Sequence, residues 1–132
     1  MQLTYPIDIE NALRIDVGEL TDLVCFAPPA PDDLQPGSVC FTSVGGQTQT
    51  EVSNEYSVSV DCWGEDYAQA VENANRMAGL VASLPFRSPS SGRHYVTADI
   101  NATPYINPDP LRPTLPRASF RAEVGIRGES IF

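Results

Sequence analysis

The residues best suited to acid–base chemistry stand close together in the sequence SGRHYVTAD. His94 is the only histidine of the chain, and Tyr95 and Asp99 follow it closely. A histidine titrates near neutral pH and serves as a general base when a second group orients it. No catalytic motif surrounds His94, and two interpretations stay open. Either His94 is a partly exposed structural residue that opens a strand, or these three residues line the pocket of a small enzyme or ligand-binding domain.

The carboxylates offer a second kind of chemistry, because groups of acidic side chains bind hard cations. Asp32 with Asp33, and Asp99 with Asp109, are the pairs to consider. The spacing of a calcium-binding loop is absent, and acidic pairs in loops are usually solvated. The chain also lacks a serine nucleophile elbow, an HExxH motif and a phosphate-binding glycine loop. We therefore expect no enzymatic activity, no bound metal and no cofactor.

The three cysteines, Cys25, Cys40 and Cys62, form no CxxC pair. Each lies in an apolar or alternating stretch typical of a strand. Because a free cysteine packs as a small apolar residue, we expect all three to be reduced core residues.

The composition excludes two classes of protein. The chain has 132 residues, a net charge of −9 and no lysine, whereas a nucleic-acid-binding protein neutralises phosphates with clustered Lys or Arg. No apolar run approaches the roughly 20 residues that cross a bilayer, and no signal-peptide pattern is visible. We therefore expect a protein that folds in a cytoplasm without a membrane or sequence-specific nucleic acid as partner. The length is typical of one domain, expected to span residues 1–132.

The charge is divided unevenly along the chain. Residues 1–72 hold thirteen acids against Arg14 alone, whereas residues 73–132 hold four acids against seven arginines. If these halves stay apart in space, the subunit is dipolar and can associate head to tail, which closes a ring when the rotation allows it. The alternative is an acidic, solvated surface that keeps the protein soluble.

The first part of the chain predicts a helix and a hairpin. Apolar residues recur at helical spacing over about residues 7–23, and residues 23–26 are apolar as in a short buried strand. The proline-containing residues 27–37 predict an extended loop. Residues 38–44 and 51–63 predict two strands joined by a turn at Gly45-Gly46, which together form a long hairpin.

The second part switches to a helical period and back. Residues 65–84 carry an apolar stripe and predict an amphipathic helix that ends at Leu84-Pro85. Residues 94–106 and 119–127 predict strands, and the proline-rich residues 104–117 an ordered arm or loop. Trp63, at the junction of strand and helix, either packs the helix onto the sheet or anchors an interface. The fold class is α+β: a mainly antiparallel sheet with a long hairpin, packed against an N-terminal helix and a central amphipathic helix.

The order of these segments resembles the tail terminator, or tail-completion, proteins of long-tailed, lambda-like bacteriophages. The resemblance lies in PDDLQPGSVCFTSVGG, in SVSVDCWGEDYAQAVENANRMAGLVASLP and in INPDPLRPTLPRASFRAEVGIRG. Its most specific parts are the strand that ends in Trp63 and runs into an alanine-rich helix, and NPDP followed by Pro116-Arg117 and a last strand ending in Arg127. Unlike the family, the chain is strongly acidic and has no lysine.

The resemblance implies a structural virion protein. Such a protein forms a ring, typically of six subunits, at the head-proximal end of the tail tube. It stops tube growth and provides the surface for head-tail joining. The implied partners are other copies of the chain, the major tail tube protein and a head-completion or connector protein. Other neck components, such as a stopper or a minor tail subunit, are the nearest alternatives, and gene order separates them because a terminator gene usually precedes the tail tube gene.

The loops at residues 27–37, 45–50 and 104–117 are the segments expected to bridge subunits. One ring face would mimic the docking surface of the tube subunit, and the other would be unable to accept a further tube ring. Arginine is favoured at charged interfaces, and four arginines follow or lie in the proline-rich segment. The candidate interface residues are Asp32, Asp33, Gly45, Gly46, Arg112, Arg117, Arg121 and Arg127.

Overall fold

The computed structural model describes residues 4–5, 8–44, 48–49, 53–127 and 129–130. Its helices are α1, Ile9–Gly18, and α2, Tyr67–Ser83, which continues into a 3-10 turn at Leu84–Phe86. The strands are β1 Thr4–Tyr5, β2 Val24–Phe26, β3 Ser38–Ser43, β4 Thr48–Gln49, β5 Ser53–Trp63, β6 Tyr95–Ile106, β7 Arg117–Arg127 and β8 Glu129–Ser130.

One mostly antiparallel sheet organises the molecule, in the order β2-β3-β5-β7-β6. Only β2 and β3 run parallel, β4 pairs with β5, and β1 pairs with β8 as a separate two-stranded sheet. With two helices against this sheet, the predicted α+β class is confirmed. The predicted hairpin strands pair antiparallel from Val39 opposite Cys62 to Ser43 opposite Val58. The Gly45-Gly46 turn between them lies outside the described residues.

Aspartate side chains begin both helices. Asp8 accepts a hydrogen bond from the backbone N–H of Asn11 at 3.2 Å, and Asp66 accepts one from that of Gln69 at 2.7 Å. α1 ends at Gly18, earlier than the apolar spacing predicts, because glycine is a poor helix former. α2 lies within the predicted limits, and Pro85 falls in the 3-10 turn that ends it.

Both helices cover the same face of the sheet, which we call the inner face. The predicted alternation in β5 is confirmed, since Tyr56, Val58, Val60 and Cys62 are all buried there. β7 contributes its own alternating set, Ala118, Phe120, Ala122, Val124 and Ile126. The two helices close this core with Ile9, Leu13, Val17, Ala70, Ala74, Met77 and Val81. Among the described residues, no helix is long and apolar enough to cross a membrane.

Two predictions about buried residues are corrected. The segment predicted as a buried strand forms β2 at the edge of the sheet, where Val24 is 56% exposed. Trp63 is buried, but it does not pack a helix onto the sheet. It follows Cys62 by one residue, so its side chain points to the opposite, outer face, where it packs with Leu34 and Cys40.

Candidate functional site

The segment between β6 and β7, residues 107–116, forms an ordered arm that lies over the outer face. Its centre is Asp109, which is only 4% exposed. Asp109 Oδ2 accepts hydrogen bonds from Trp63 Nε1 and Arg112 Nη1, each at 3.2 Å, and Oδ1 accepts one from the backbone N–H of Leu111 at 3.0 Å. The predicted ordered arm is therefore present, although it begins later than expected. Pro104 belongs to β6, an edge strand where a missing N–H is tolerated.

Arg112 and Arg117 bind the arm to the rest of the chain. Arg112 Nη2 donates to the carbonyl of Pro31 at 2.9 Å, and Arg117 Nε donates to that of Asn107 at 2.7 Å. Both guanidinium carbons lie 6.0 Å from the centre of the Trp63 ring, at the outer limit of a cation–π contact. These two candidate interface arginines thus direct their hydrogen bonds to groups within the chain, although the buried Arg112 Nε has no partner among the described residues.

The charges around Asp109 control its ionisation. Burial of the carboxyl acts to raise its pKa, but the Leu111 N–H, the Arg112 guanidinium, the Arg117 charge and the Trp63 indole N–H together outweigh it. The pKa of Asp109 therefore lies below its usual value of 3.8. We call Asp109 and the three side chains around it, Trp63, Arg112 and Arg117, the clamp. Asp109 is ionised at neutral pH, and the sequence interpretation of Asp109 as a solvated loop acid is wrong.

At the turn of the arm, Leu111 is 83% exposed while its neighbours are held in place. Trp63, Leu34 and Cys40 form a small apolar cluster beneath the arm, joined by Leu115. Polar contacts also join the arm to the sheet. Ser119 Oγ donates a hydrogen bond to Asp61 Oδ1 at 2.5 Å and accepts one from Asn107 Nδ2 at 3.0 Å. The arm therefore presents a leucine to solvent on a well-supported turn.

The other two arginines, Arg121 and Arg127, are exposed on the outer face of β7. Arg121 stands opposite Ser59 and diagonally across from Asp61. Arg127 stands diagonally across from the exposed Glu55. Acids of the first half of the chain thus alternate with arginines of the second half on one surface.

Two ion pairs reinforce this mixing of the halves. Arg93 lies 3.1 Å from the buried Asp16, and Arg76 lies 3.3 Å from Asp22. The two halves of opposite charge do not stay apart in space, so the condition for a simple dipolar subunit is not met.

The remaining candidate interface residues are the acidic pair and the two glycines. Asp32 and Asp33 form an exposed turn in the loop after β2, beside Pro31, to which Arg112 bonds. The fold thus brings the acidic pair near Arg112 but not near Arg127, at the far end of β7. Gly45 and Gly46 lie outside the described residues.

β6 forms a long edge of the sheet. It pairs with β7 on one side, and on the other it pairs with no strand that the structure describes. Val96, Tyr105 and Ile106 are 45%, 42% and 56% exposed. A free strand edge with exposed apolar side chains is a surface on which another chain can pair.

A basic cleft of about 350 Å³ lies between the end of α2 and the start of β6. Its lining contains two arginines and the histidine, Arg87, Arg93 and His94, together with Phe86. Arg93 is held by Asp16, whose Oδ2 also accepts a hydrogen bond from Tyr95 Oη at 2.6 Å. Burial, together with this bond to the carboxylate, raises the pKa of Tyr95 and keeps the phenol neutral.

The structure assembles two of the three residues considered together in the sequence, because His94 and Tyr95 both line the basic cleft. Tyr95 also packs into the inner core, and Asp99 stands apart from the cleft, opposite the exposed Glu123 on the outer face. Asp99 and Asp109 are likewise separate. Within the described residues, no three His, Cys, Asp or Glu side chains converge on a possible metal position.

The three cysteines are free, as predicted, and Cys40 and Cys62 are buried. Cys25, predicted to be a core residue as well, is only half-buried because it lies in the edge strand β2. Burial raises the pKa of Cys25 to about 11 and moves the pKa of Cys62 in the same direction. Both thiols are therefore protonated at neutral pH, which disfavours a nucleophilic role.

Sequence reasoning missed two buried carboxylates, Asp16 and Asp109. A signal for Asp16 existed, because it follows the apolar Leu13 by three residues, which places it on the buried side of α1, where a carboxylate requires a partner. Its partners come from the far side of the sequence, which no local pattern reveals. Neither a protein-family model nor a curated protein matches the sequence.

Proposed function

We propose that this chain is a structural subunit of a long-tailed bacteriophage, assembled as a ring at the head-proximal end of the tail tube. The ring stops polymerisation of the tube and provides the surface for joining the head. Its partners are other copies of the chain, the major tail tube protein and a head-completion protein, and its place is the virion neck.

The observation that carries this proposal is the free edge of β6 together with the arm at its end. β6 is twelve residues long and pairs on one side only among the described strands, and unpaired backbone groups attract other chains. Its register shifts and Pro104 restrict such pairing to part of the edge. The arm adds Leu111 at 83% exposure, on a turn fixed by Asp109. An exposed leucine on a rigid turn binds at little entropic cost. Both features favour a protein that works by contact with other protein surfaces.

The segment order described in the sequence supports the more specific assignment to the tail terminators. The strand ending in Trp63 leads into α2, and the NPDP segment forms the arm that leads into β7. The same two segments are therefore the ones that build the arm and its clamp. Pro110 and Pro113 restrict the backbone on either side of Leu111, as suits a surface that must dock in one geometry.

The mass of the purified protein in solution tests the proposal. Light scattering after size exclusion, over a concentration series, is expected to show a closed assembly of about six chains. Negative-stain images of the same fractions should show rings with a central opening. A protein that remains monomeric at its highest soluble concentration, and that does not bind the ends of tail tubes, would rule the proposal out.

A further inference from the structure

The basic cleft contains donors that the chain itself leaves unused. Arg87 Nε donates to Ser83 Oγ at 2.7 Å, and its two terminal nitrogens make no hydrogen bond to any described residue. Arg93 uses Nη1 for Asp16 and keeps 27% of its side chain exposed. His94 is exposed beside them. No acidic residue that the structure describes lines the cleft, although the whole chain carries a net charge of −9.

Each guanidinium group has one anchoring partner within the chain. Arg87 bonds to Ser83, and Arg93 bonds to the buried Asp16. Arg87 also lines a neighbouring hollow that contains Asp16 and Glu19, and the carboxylate of Glu19 accepts hydrogen bonds from the backbone and hydroxyl of Ser90. Two guanidinium groups that line one cleft suit carboxylates.

A matching pair of carboxylates stands at the opposite corner of the same molecule. Asp32 and Asp33 form an exposed turn, and no hydrogen bond or ion pair engages their carboxylates within the described residues. Pro31 ties this turn to the arm, at the Arg117 end of β7. The cleft adjoins the other end, where the Arg127 N–H donates to the His94 carbonyl. The acidic turn and the cleft therefore lie at opposite ends of β7, whose eleven residues extend over roughly 33 Å at about 3.3 Å per residue.

We propose that the Asp32–Asp33 turn of one copy docks into the basic cleft of the next copy. The two surfaces differ and lie at opposite corners, so a contact between them is heterologous and repeats head to tail. The proposal rests on the proposed ring and identifies the contact that closes it. In this proposal, Arg87 and Arg93 are the arginines that meet the acidic turn of the next copy. Arg112 and Arg117, which the sequence indicated as interface residues, instead bond to groups of their own chain.

A charge exchange tests the contact. Arg87→Glu and Asp33→Arg each place like charges together, and each is expected to weaken self-association about tenfold or more, measured by sedimentation velocity over a concentration series. The double variant restores an opposite pair and should return to within about threefold of the wild type. Arg87 and Asp33 are both exposed, so thermal unfolding should show that each variant folds.

A matched exchange elsewhere on the surface serves as the control. Arg76→Glu and Asp22→Arg alter charge in the same way at an exposed pair outside the cleft and the turn, and they should leave association unchanged. Association of the wild type should also weaken as salt rises. If the wild type assembles but the Arg87 and Asp33 variants assemble equally well, this contact is overturned while the proposed ring stands. A wild type that stays monomeric overturns the contact, and the proposed ring falls with it if the monomer also fails to bind the ends of tail tubes.

Discussion

At the scale of single residues, Asp109 has the largest structural role. It is a buried carboxylate that receives an indole N–H, a guanidinium group and a backbone N–H, while Arg117 stands 3.9 Å away. A buried charge is tolerated only when such partners surround it. Asp109 therefore connects the arm to Trp63 and to both arginines that hold it.

Asp109→Asn is expected to lower the free energy of unfolding by about 2 kcal/mol, because two arginines lose their counter-charge. Urea unfolding followed by fluorescence reports this directly, since Trp63 is the only tryptophan and lies in the clamp. Asp99→Asn is the control, because Asp99 is exposed, and it should change the value by less than about 0.5 kcal/mol. Equal effects of the two substitutions would contradict the clamp.

The pKa of Asp109 sets the pH at which the clamp fails. The pKa of Asp109 in the folded protein lies below its usual value of 3.8. The carboxylate therefore stabilises the fold fully at pH values above its pKa in the unfolded chain, and this stabilisation is lost as the pH falls through its pKa in the folded protein. Stability measured by urea unfolding should therefore contain a step below about pH 4 that Asp109→Asn removes. A step of unchanged size in the variant would assign it to other carboxylates.

At the scale of elements, a second buried carboxylate joins α1 to the start of β6. Arg93→Met leaves Asp16 buried without a counter-charge and should cost about 3 kcal/mol, whereas Tyr95→Phe removes one hydrogen bond and should cost about 1 kcal/mol. Arg87→Met is the control, with one hydrogen bond to Ser83 and an exposed side chain. Chemical denaturation should show the largest loss of stability for Arg93→Met, a smaller loss for Tyr95→Phe and the smallest for Arg87→Met. A reversed order would contradict the role given to Asp16.

Two glycines give opposite predictions for the same substitution. A Cβ at Gly64 would lie 2.5 Å from the backbone nitrogen of Ala70, so Gly64→Ala must displace the first turn of α2 and should cost about 2 kcal/mol. A Cβ at Gly79 meets nothing within 4 Å, and Gly79→Ala should stabilise α2 by about 0.5–1 kcal/mol. Thermal unfolding of both variants checks the difference. Destabilisation by Gly79→Ala would contradict the open space around Gly79.

The elements with a clear period were predictable from the sequence, and the placement of charged side chains was not. The alternation in β5 and the apolar stripe of α2 each indicate which face of the element is buried. Trp63 and Asp109 are forty-six residues apart, and their hydrogen bond depends on how the arm folds back. For the same reason Arg112 and Arg117 looked like free interface residues.

At the scale of the whole molecule, exposed apolar residues should matter for association rather than for folding. Leu111→Ser is expected to change the free energy of unfolding by less than about 0.5 kcal/mol, because the side chain is 83% exposed. If Leu111 is buried by a neighbouring chain, self-association should weaken by about 1.5–3 kcal/mol. Leu111→Met, which keeps an apolar side chain of similar size, should assemble normally. Full assembly of Leu111→Ser would exclude the arm turn from the contact.

The layers over the sheet are unequal along its length, and this has a mechanical consequence. Near Trp63 the sheet lies between α2 on one face and the arm and loop 27–37 on the other, while towards Glu55 the outer-face side chains that the structure describes are exposed or half-buried. A doubly covered sheet bends less than one covered on a single side, because packed layers resist shear. Among the described residues, the sheet is thus better supported at its arm end than at the end near the basic cleft. In the proposed ring, this difference would let the subunits absorb a mismatch in diameter at one rim while they hold their shape at the other.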